Sequence, residues 1–511
     1  MTIPDQDRRR RAGVFFAALI IALGGIIYEL IIGTTSSYLL GDGVVQFSLT
    51  IGFMLFGMGL GSLFAPRLAG APETTFVLVE TVLGLVGGSA PILLFWIFNR
   101  SLPFYPLFIL LVLAIGILIG LEIPLMFSLL RRKTDGTWLL SRLLSLDYVG
   151  ALIASLAFPF ILLPKLGLVR AALVIGLSNA LIACLMYALF YADIRKKAWV
   201  GAAVSLAAAA LASELVFANV IARGLEQGVY KDEIVYAAQT PYQRLVLTKF
   251  RDDVRLFLNG NLQFSRVDEH RYHEPLVHVP MAAARTRGRI LVLGGGDGLA
   301  VREILKYPDV DSVTLVDLDR DVTDLARRHP LLLDANGGSL DDPRVDVVNE
   351  DAFVFLRETD ASYDVIIADL PDPNNESLAK LYAVEFYELA KRRLSKDGAF
   401  VTQATSPYFS NGTFWMIDRT LRAAGFHTRP YHAHVPSFGE WGFILATSVS
   451  APGTIELANV PMRILTPEIL PTLFLFDPDV RQRSEDDTVN SLIHPVIINL
   501  YAREAAQWTG Q

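Results

Sequence analysis

Hydrophobic positions divide the chain into two halves of different character. Up to about residue 220 they run in long, nearly unbroken stretches, at roughly 13–35, 45–65, 75–98, 103–130, 146–168, 171–192 and 198–218. Each stretch has about 20 residues or more, enough for a helix to cross a bilayer. The last is rich in alanine and also suits a surface or re-entrant helix. Beyond 220 the apolar runs are short and broken by glycine and polar residues. Residues 219–240 read as a polar connector. Tyr242 to Phe250 and Val254 to Phe264 then alternate as strands, and Asn259-Gly260 marks a hairpin turn. After Asp268 to Glu274 and an apolar helix from Leu276, strands at 289–293, 312–316, 345–348, 363–368 and 399–403 alternate with helices at 299–306, 320–328, 352–358 and 382–393. Strands alternating with helices predict a parallel sheet with ligands at the strand C-termini.

The sharpest local signal is Arg289-Ile-Leu-Val-Leu-Gly-Gly-Gly-Asp-Gly298, where an apolar strand runs into a glycine turn and then a helix. Glycines allow a sharp turn and close approach of backbone to ligand. With glycine at 294, 296 and 298 and Leu at 299, the spacing is G-x-G-x-G, which suits an adenosine-type ligand better than a dinucleotide. The second strand ends at Asp317, where a carboxylate can accept ribose hydroxyls.

Composition sharpens the division. Hydrophobic residues make up 52% of the 511 and mean hydropathy is +0.41, an excess carried by the first half. The uncleaved first run follows Arg8 to Arg11. Further basic residues at Arg67, at Arg131-Arg132-Lys133 with Arg142, and at Arg195-Lys196-Lys197 fall in alternate loops. The intervening loops hold only Arg100, Lys165 and Arg170. The positive-inside rule then places the N-terminus in the cytoplasm, and seven spans would put the second half outside; the side is left open. Glu29, Glu80, Glu122 and Asp147 sit within or at the ends of the runs, either as packing and helix-end anchors or as a transport path. Gly57-Met-Gly-Leu-Gly61 predicts close helix packing. A net charge of −7 with no basic stripe argues against a nucleic-acid partner. The single cysteine, Cys184, excludes an intrachain disulfide.

The candidate chemistry is acidic. Asp297, Asp317, Asp351, Asp369 and Asp372 all fall at or just past a predicted strand C-terminus. A cleft lined by carboxylates suits a cation such as a sulfonium or a polyamine and not a phosphate. Helix capping alone would also place aspartates there, most plausibly at Asp317 and Asp351. His270-x-x-His273-Glu274 is not the order of a zinc protease and lacks a third ligand, so no metal is assigned.

Read together, Tyr242-Gln243, Asp268-Glu-His-Arg-Tyr-His-Glu274, Leu293-Gly-Gly-Gly-Asp-Gly298, Val316-Asp-Leu-Asp319, Glu350-Asp351-Ala352, Asp369-Leu-Pro-Asp-Pro373 and Leu381-Tyr-Ala-Val-Glu-Phe-Tyr387 resemble the spermidine synthases, the polyamine aminopropyltransferases, in order and spacing. The apolar half is similar to the multi-pass branch of that family. The resemblance implies an N-terminal all-α transmembrane bundle of about seven spans in the cell membrane. A C-terminal α/β Rossmann-like, methyltransferase-type domain with a small β lead-in would follow. The expected parts are 1–220 (spans), 221–275 (linker and hairpin), 276–450 (core) and 451–511 (tail).

It further implies aminopropyl transfer from decarboxylated S-adenosylmethionine, a co-substrate rather than a resident cofactor, to putrescine or a similar amine. Methylthioadenosine would be the by-product. Asp369 would be the general base. Gln243, Gly294, Gly296, Asp317, Asp351 and Ala352 would hold the donor, with Asp317 standing where the family usually has Glu. Tyr272, His273, Asp297 and Asp372 would hold the polyamine. The loop Asn374 to Lys380 departs from the family's glycine- and proline-bearing loop, which puts the acceptor's identity in question. A methyltransferase on the same fold, or a membrane polyamine sensor or transporter, stay open as alternatives, as does self-association.

Overall fold

The computed structural model describes residues 5–41, 43–131, 135–449, 455–481 and 487–509. Arg132 and Lys133, counted above among the loop charges, lie outside them. The chain forms two compact units, Met1–Arg244 and Leu245–Gln511.

The first unit is helical: α1 (Asp5–Leu40), α2 (Gly43–Leu68), α3 (Pro72–Gly88), α4 (Ala90–Asn99), α5 (Phe104–Leu130), α6 (Gly136–Ala157), α7 (Leu163–Leu189) and α8 (Lys197–Gln227), followed by the strand β1 (Glu233–Gln239). Among the described residues five helical stretches are long and apolar enough to cross a membrane, or six if the bent pair α3–α4 is one span. That corrects the expected seven. No loop separates the runs at 146–168 and 171–192, although Pro164, Lys165, Gly167 and Arg170 stand where they meet. Instead a π-helical segment, Phe158–Leu162, carries α6 into α7 as one stretch of 54 residues. Within it Gly167 breaks the helix at φ +69°, a conformation open to glycine. The run at 75–98 bends by 44° between Gly88 and Ala90. The connector expected at 219–240 is in fact the last turns of α8 and then β1.

Small residues set the helix packing. A Cβ on Gly61 would lie 2.1 Å from the Ile117 carbonyl oxygen, and one on Gly120 would lie 2.1 Å from that of Met58, so α2 and α5 meet backbone to backbone. Gly59, between Gly57 and Gly61 in the motif, faces open space. Glu80 and Glu122 are buried in the bundle, whereas Glu29 and Asp147 are half-buried. Glu80 Oε2 accepts from Asn179 Nδ2 at 3.0 Å, and Tyr28 donates to Asn179 Oδ1 at 3.4 Å. An inward-facing carboxylate with a hydrogen-bond partner, as Glu80 has in Asn179, is the arrangement an apolar surround favours.

The second unit opens with an antiparallel sheet of β2 (Arg244–Phe250), β3 (Asp253–Leu258) and β4 (Asn261–Ser265). Positive φ at Asn259 and Gly260 (50° and 82°) gives the turn that its Asn-Gly pair predicts. The core follows: α9 (His270–Ala283), β5 (Arg289–Gly294), α10 (Leu299–Ile304), β6 (Ser312–Val316), α11 (Arg320–Arg328), α12 (Pro330–Asn336), β7 (Val345–Val348), α13 (Ala352–Glu358), β8 (Tyr363–Asp369), α14 (Glu376–Ala379), α15 (Val384–Arg393), β9 (Leu394–Gln403), α16 (Asn411–Ala423), β10 (His427–Val435) and β11 (Gly439–Thr447), with α17 (Ile497–Thr509) near the C-terminus.

The seven-stranded sheet has the order β10-β11-β9-β8-β5-β6-β7. β5 to β9 are parallel, and the β10–β11 hairpin joins β9 antiparallel. Buried Ile290 to Leu293 of β5 and Val365 to Ala368 of β8 fill both faces of the central strands, as a sheet covered on both sides requires. Strand order reverses between β5 and β8, and a ligand crevice opens at such a reversal.

Candidate active site

At that reversal Gly294 of β5 is the register partner of Asp369 of β8. The glycine turn exists because side chains would not fit. A Cβ on Gly294 would stand 2.1 Å from the Asp369 carbonyl oxygen, and one on Gly296 would stand 2.5 Å from Asp317 Oδ2. Asp317, just past β6, instead accepts the Gly296 N–H at 3.0 Å and that of Asp319 at 2.9 Å. Asp297 Oδ1 accepts from Leu299 N at 2.9 Å and so begins α10.

The segment Asp268 to Glu274 acts as a bracket. Asp268 accepts from Ser437 N and Oγ, holding the loop between β10 and β11. Glu274, fully buried, accepts three successive backbone N–H groups, those of Arg463, Ile464 and Leu465, and so fastens the tail. Between these anchors Tyr272 donates to Asp369 Oδ1 at 2.7 Å. His273 Nδ1 lies 2.9 Å from Glu269 Oε2, which also accepts from Arg302 at 2.9 Å.

Electrostatics divides the site into two kinds of group. Asp297, Asp317, Asp369 and Asp372 are half-buried, open enough to meet a ligand and enclosed enough that charge is costly. Burial pushes Asp317 and Asp372 up to about 6. Burial does the same for Asp297, against the opposing pull of the His273 charge. Asp369 is raised by burial, with the His273 charge and the Tyr272 hydrogen bond pulling back. Burial alone would depress His273, but the hydrogen bond and charge of Glu269 outweigh it and carry the imidazole up to about 9. Burial likewise opposes ionisation of Glu269, and hydrogen bonds from His273 and Arg302 bring it down to about 2.

This pair makes stability depend on pH. His273 sits above its ordinary 6.5, so its contribution is complete below pH 6.5 and lost as pH rises through about 9. Glu269 sits below its ordinary 4.5, so its contribution is complete above pH 4.5 and lost as pH falls through about 2. Glu269→Gln is expected to cost about 1.5–3 kcal/mol, the worth of hydrogen bonds to charged groups. Denaturant titrations should find the deficit largest between pH 4.5 and 6.5 and shrinking toward pH 9. A deficit independent of pH would remove the ion pair from the account.

Asp297, Asp317, Asp369, Asp372, Tyr272 and His273 therefore gather at the ends of β5, β6 and β8, beside Gly294 and Gly296. Asp351 is next along: Glu350 N donates to the Asp317 carbonyl at 3.1 Å. One Asp351 oxygen caps α13, and the other takes Lys380 Nζ at 2.5 Å. Ala352 is the buried first residue of that helix. Gln243 lies in the other unit, in a turn where its N–H donates to Thr240 Oγ1.

Three groups on Asp372 or around it are given no role by the sequence. Tyr501 Oη donates to Asp372 Oδ2 at 2.8 Å, and Gln403 Nε2 to Oδ1 at 3.3 Å. Tyr382, buried, donates to the Pro371 carbonyl at 2.9 Å and holds the loop. Gln403 could have been found, since it ends a predicted strand as the aspartates do; Tyr501 carries no local signal.

The arrangement is a carboxylate-lined crevice beside a glycine turn, able to bind a cationic nucleoside and an amine and to accept a proton. The Spermine/spermidine synthase domain family matches residues 269–456, which contain every one of these carboxylates. Over nearly the whole chain the similarity is closer. Polyamine aminopropyltransferase 1 of Ralstonia nicotianae is 44% identical over 96% of this chain and 95% of its own length. Polyamine aminopropyltransferase 2 of the same organism is 45% identical over 94% and 96%. The polyamine aminopropyltransferase of Leptospira interrogans is 45% identical over 85% and 88%. Similarity of that extent takes in the apolar helices as well as the crevice, and the chain belongs to the polyamine aminopropyltransferase family, as a member whose N-terminal region bears several long apolar helices.

Proposed function

We propose that the enzyme transfers the aminopropyl group of decarboxylated S-adenosylmethionine to putrescine or a similar diamine, releasing methylthioadenosine, with its helical unit embedded in the cell membrane. The observation that carries this reading is the set of half-buried carboxylates around Asp369. Asp317 receives the donor's ribose. Asp351 and Ala352 meet the adenine, and Gly294 and Gly296 let the backbone come close. Asp297 and Asp372 hold the acceptor's ammonium groups, with Tyr272 and His273 lining its path.

Asp369 acts as the base. An ammonium has no lone pair to attack with, so the reacting nitrogen first gives a proton to Asp369. Tyr272 holds Oδ1, and Oδ2 lies over the turn at Gly295. The nitrogen then forms a bond to the propyl carbon next to sulfur. The carbon–sulfur bond breaks with its electrons going to sulfur, and the sulfonium leaves as a neutral thioether. Alignment of nitrogen, carbon and sulfur supplies much of the rate.

Mass spectrometry of the detergent-solubilised enzyme tests this, with putrescine and cadaverine together and each donor offered separately. Spermidine and methylthioadenosine from the decarboxylated donor are the expected products. A methylated amine from S-adenosylmethionine would replace the reading. The acid limb of kcat/KM is a second expectation. Cations bind to ionised carboxylates, and Asp297, Asp317 and Asp372 ionise only near 6. Activity should fall steeply, by more than one proton's worth, as pH drops through about 6. A flat profile down to pH 4.5 would contradict it.

A further inference from the structure

The C-terminal helix α17 lies beyond the segment that matches the spermine/spermidine synthase family, which ends at residue 456. It is nonetheless fastened to the catalytic unit at defined points. Ile497 is fully buried. Glu504 accepts from Gly412 N at 2.7 Å, Thr413 N at 3.1 Å and Thr413 Oγ1 at 2.7 Å. The two N–H groups belong to the first turn of α16, where a carboxylate is favoured, and the third donor is the Thr413 hydroxyl. Positions 497, 501 and 504 share one helix face. With its neighbours fixed, Tyr501 is aimed at a single group, Asp372 Oδ2, at 2.8 Å.

Gln403 holds the other Asp372 oxygen and is itself fixed by bonds to the Leu370 carbonyl at 2.6 Å and the Thr405 N–H at 2.9 Å. A carboxylate with a donor on each oxygen cannot rotate, and each oxygen keeps a lone pair for a further donor.

We infer that α17 is part of the acceptor site and that Tyr501 is a positioning residue, acting through Asp372 to set how tightly the amine binds. This rests on the reading of Asp372 as an amine ligand. The hydroxyl steadies the carboxylate plane toward the amine and stabilises the charged form that an ammonium needs. Its loss leaves burial to act on Asp372 with one opposing donor fewer.

Tyr501→Phe keeps the ring and its packing and removes only the donor. Kinetics of this variant, of Asp372→Asn and of the double variant form the test, each at saturating donor and across pH. The expected result for Tyr501→Phe is a KM for putrescine raised about tenfold, the size of a lost hydrogen bond to a charged group, with kcat and donor KM near their starting values. The acid limb of its kcat/KM should move to higher pH. In the Asp372→Asn background the same substitution should change the putrescine KM by less than about twofold, because the charge it supports is gone. If Asp372→Asn raises the putrescine KM and Tyr501→Phe does not, the inference is overturned while the role of Asp372 stands. Should neither substitution move it, the role of Asp372 falls and the inference with it. If Tyr501→Phe lowers kcat, raises both KM values and lowers Tm together, its role is general packing and the inference is overturned.

Discussion

Asp369→Asn is expected to lower turnover by about 10²–10⁴-fold while donor binding is retained, the range that a positioned general base contributes. Asparagine keeps the shape of aspartate, and its carbonyl still accepts the Tyr272 hydroxyl, which lies 2.7 Å from Oδ1 in the parent. The lost function is proton acceptance. The measurement is the single-turnover rate of methylthioadenosine release, beside donor affinity by calorimetry. A pH series makes the assignment sharper. Free alkylamines ionise near 10, as lysine does, so the fraction of acceptor already neutral grows about tenfold per pH unit below that value. The deficit of the variant should therefore narrow steadily between pH 7 and 9. Turnover equal to the parent's at neutral pH sinks the base assignment. A deficit that does not narrow with pH means Asp369 serves in orientation and not in proton transfer.

The crevice was legible because its elements announce themselves locally. A strand that runs into three glycines, followed by a helical pattern, has few ways to fold, and the aspartates mark strand ends that a parallel sheet must bring together. The Asn259-Gly260 turn is of the same kind, since a type I′ hairpin turn needs positive φ at both positions and Asn-Gly tolerates it. What sequence did not disclose depends on long-range partners or on backbone continuity. The stretch from α6 through α7 reads as two apolar runs; its π-helical segment falls inside the first of them, and where the runs meet a kink at Gly167 stands in place of a loop. Glu274 sits in the middle of the best-matching motif, but its partners are backbone groups at 463–465, almost two hundred positions away. Asp351 satisfies two readings at once. It caps α13 with one oxygen, as its position before a helix predicts, and meets Lys380, in the loop that departs from the family's pattern, with the other.

Gly294→Ala is expected to prevent folding of the catalytic unit, and comparison with Gly296→Ala explains why. At Gly294 two costs coincide. The backbone is at φ +81°, where an L side chain costs about 1–2 kcal/mol. The new Cβ would also lie 2.1 Å from the carbonyl oxygen of Asp369, its own register partner in the sheet. A backbone oxygen of the last pair in the ladder is tied to its strand and cannot swing aside as a side chain can, so relief requires parting the ends of β5 and β8. The combined cost passes about 4 kcal/mol, a range few substitutions reach and comparable with the stability of a whole domain. At Gly296 φ is ordinary, and the nearest atom to a new Cβ is Asp317 Oδ2 at 2.5 Å, the end of a side chain. That carboxylate can swing aside, so the fold should survive and donor binding should suffer. Thermal unfolding and donor titration of the two variants separate the cases. Gly296→Ala should fold with a raised donor KM, and Gly294→Ala should give little folded catalytic unit to assay. A well-folded Gly294→Ala enzyme with ordinary Tm would mean that β5 and β8 do not meet in this register, and the site built on that register would have to be redrawn.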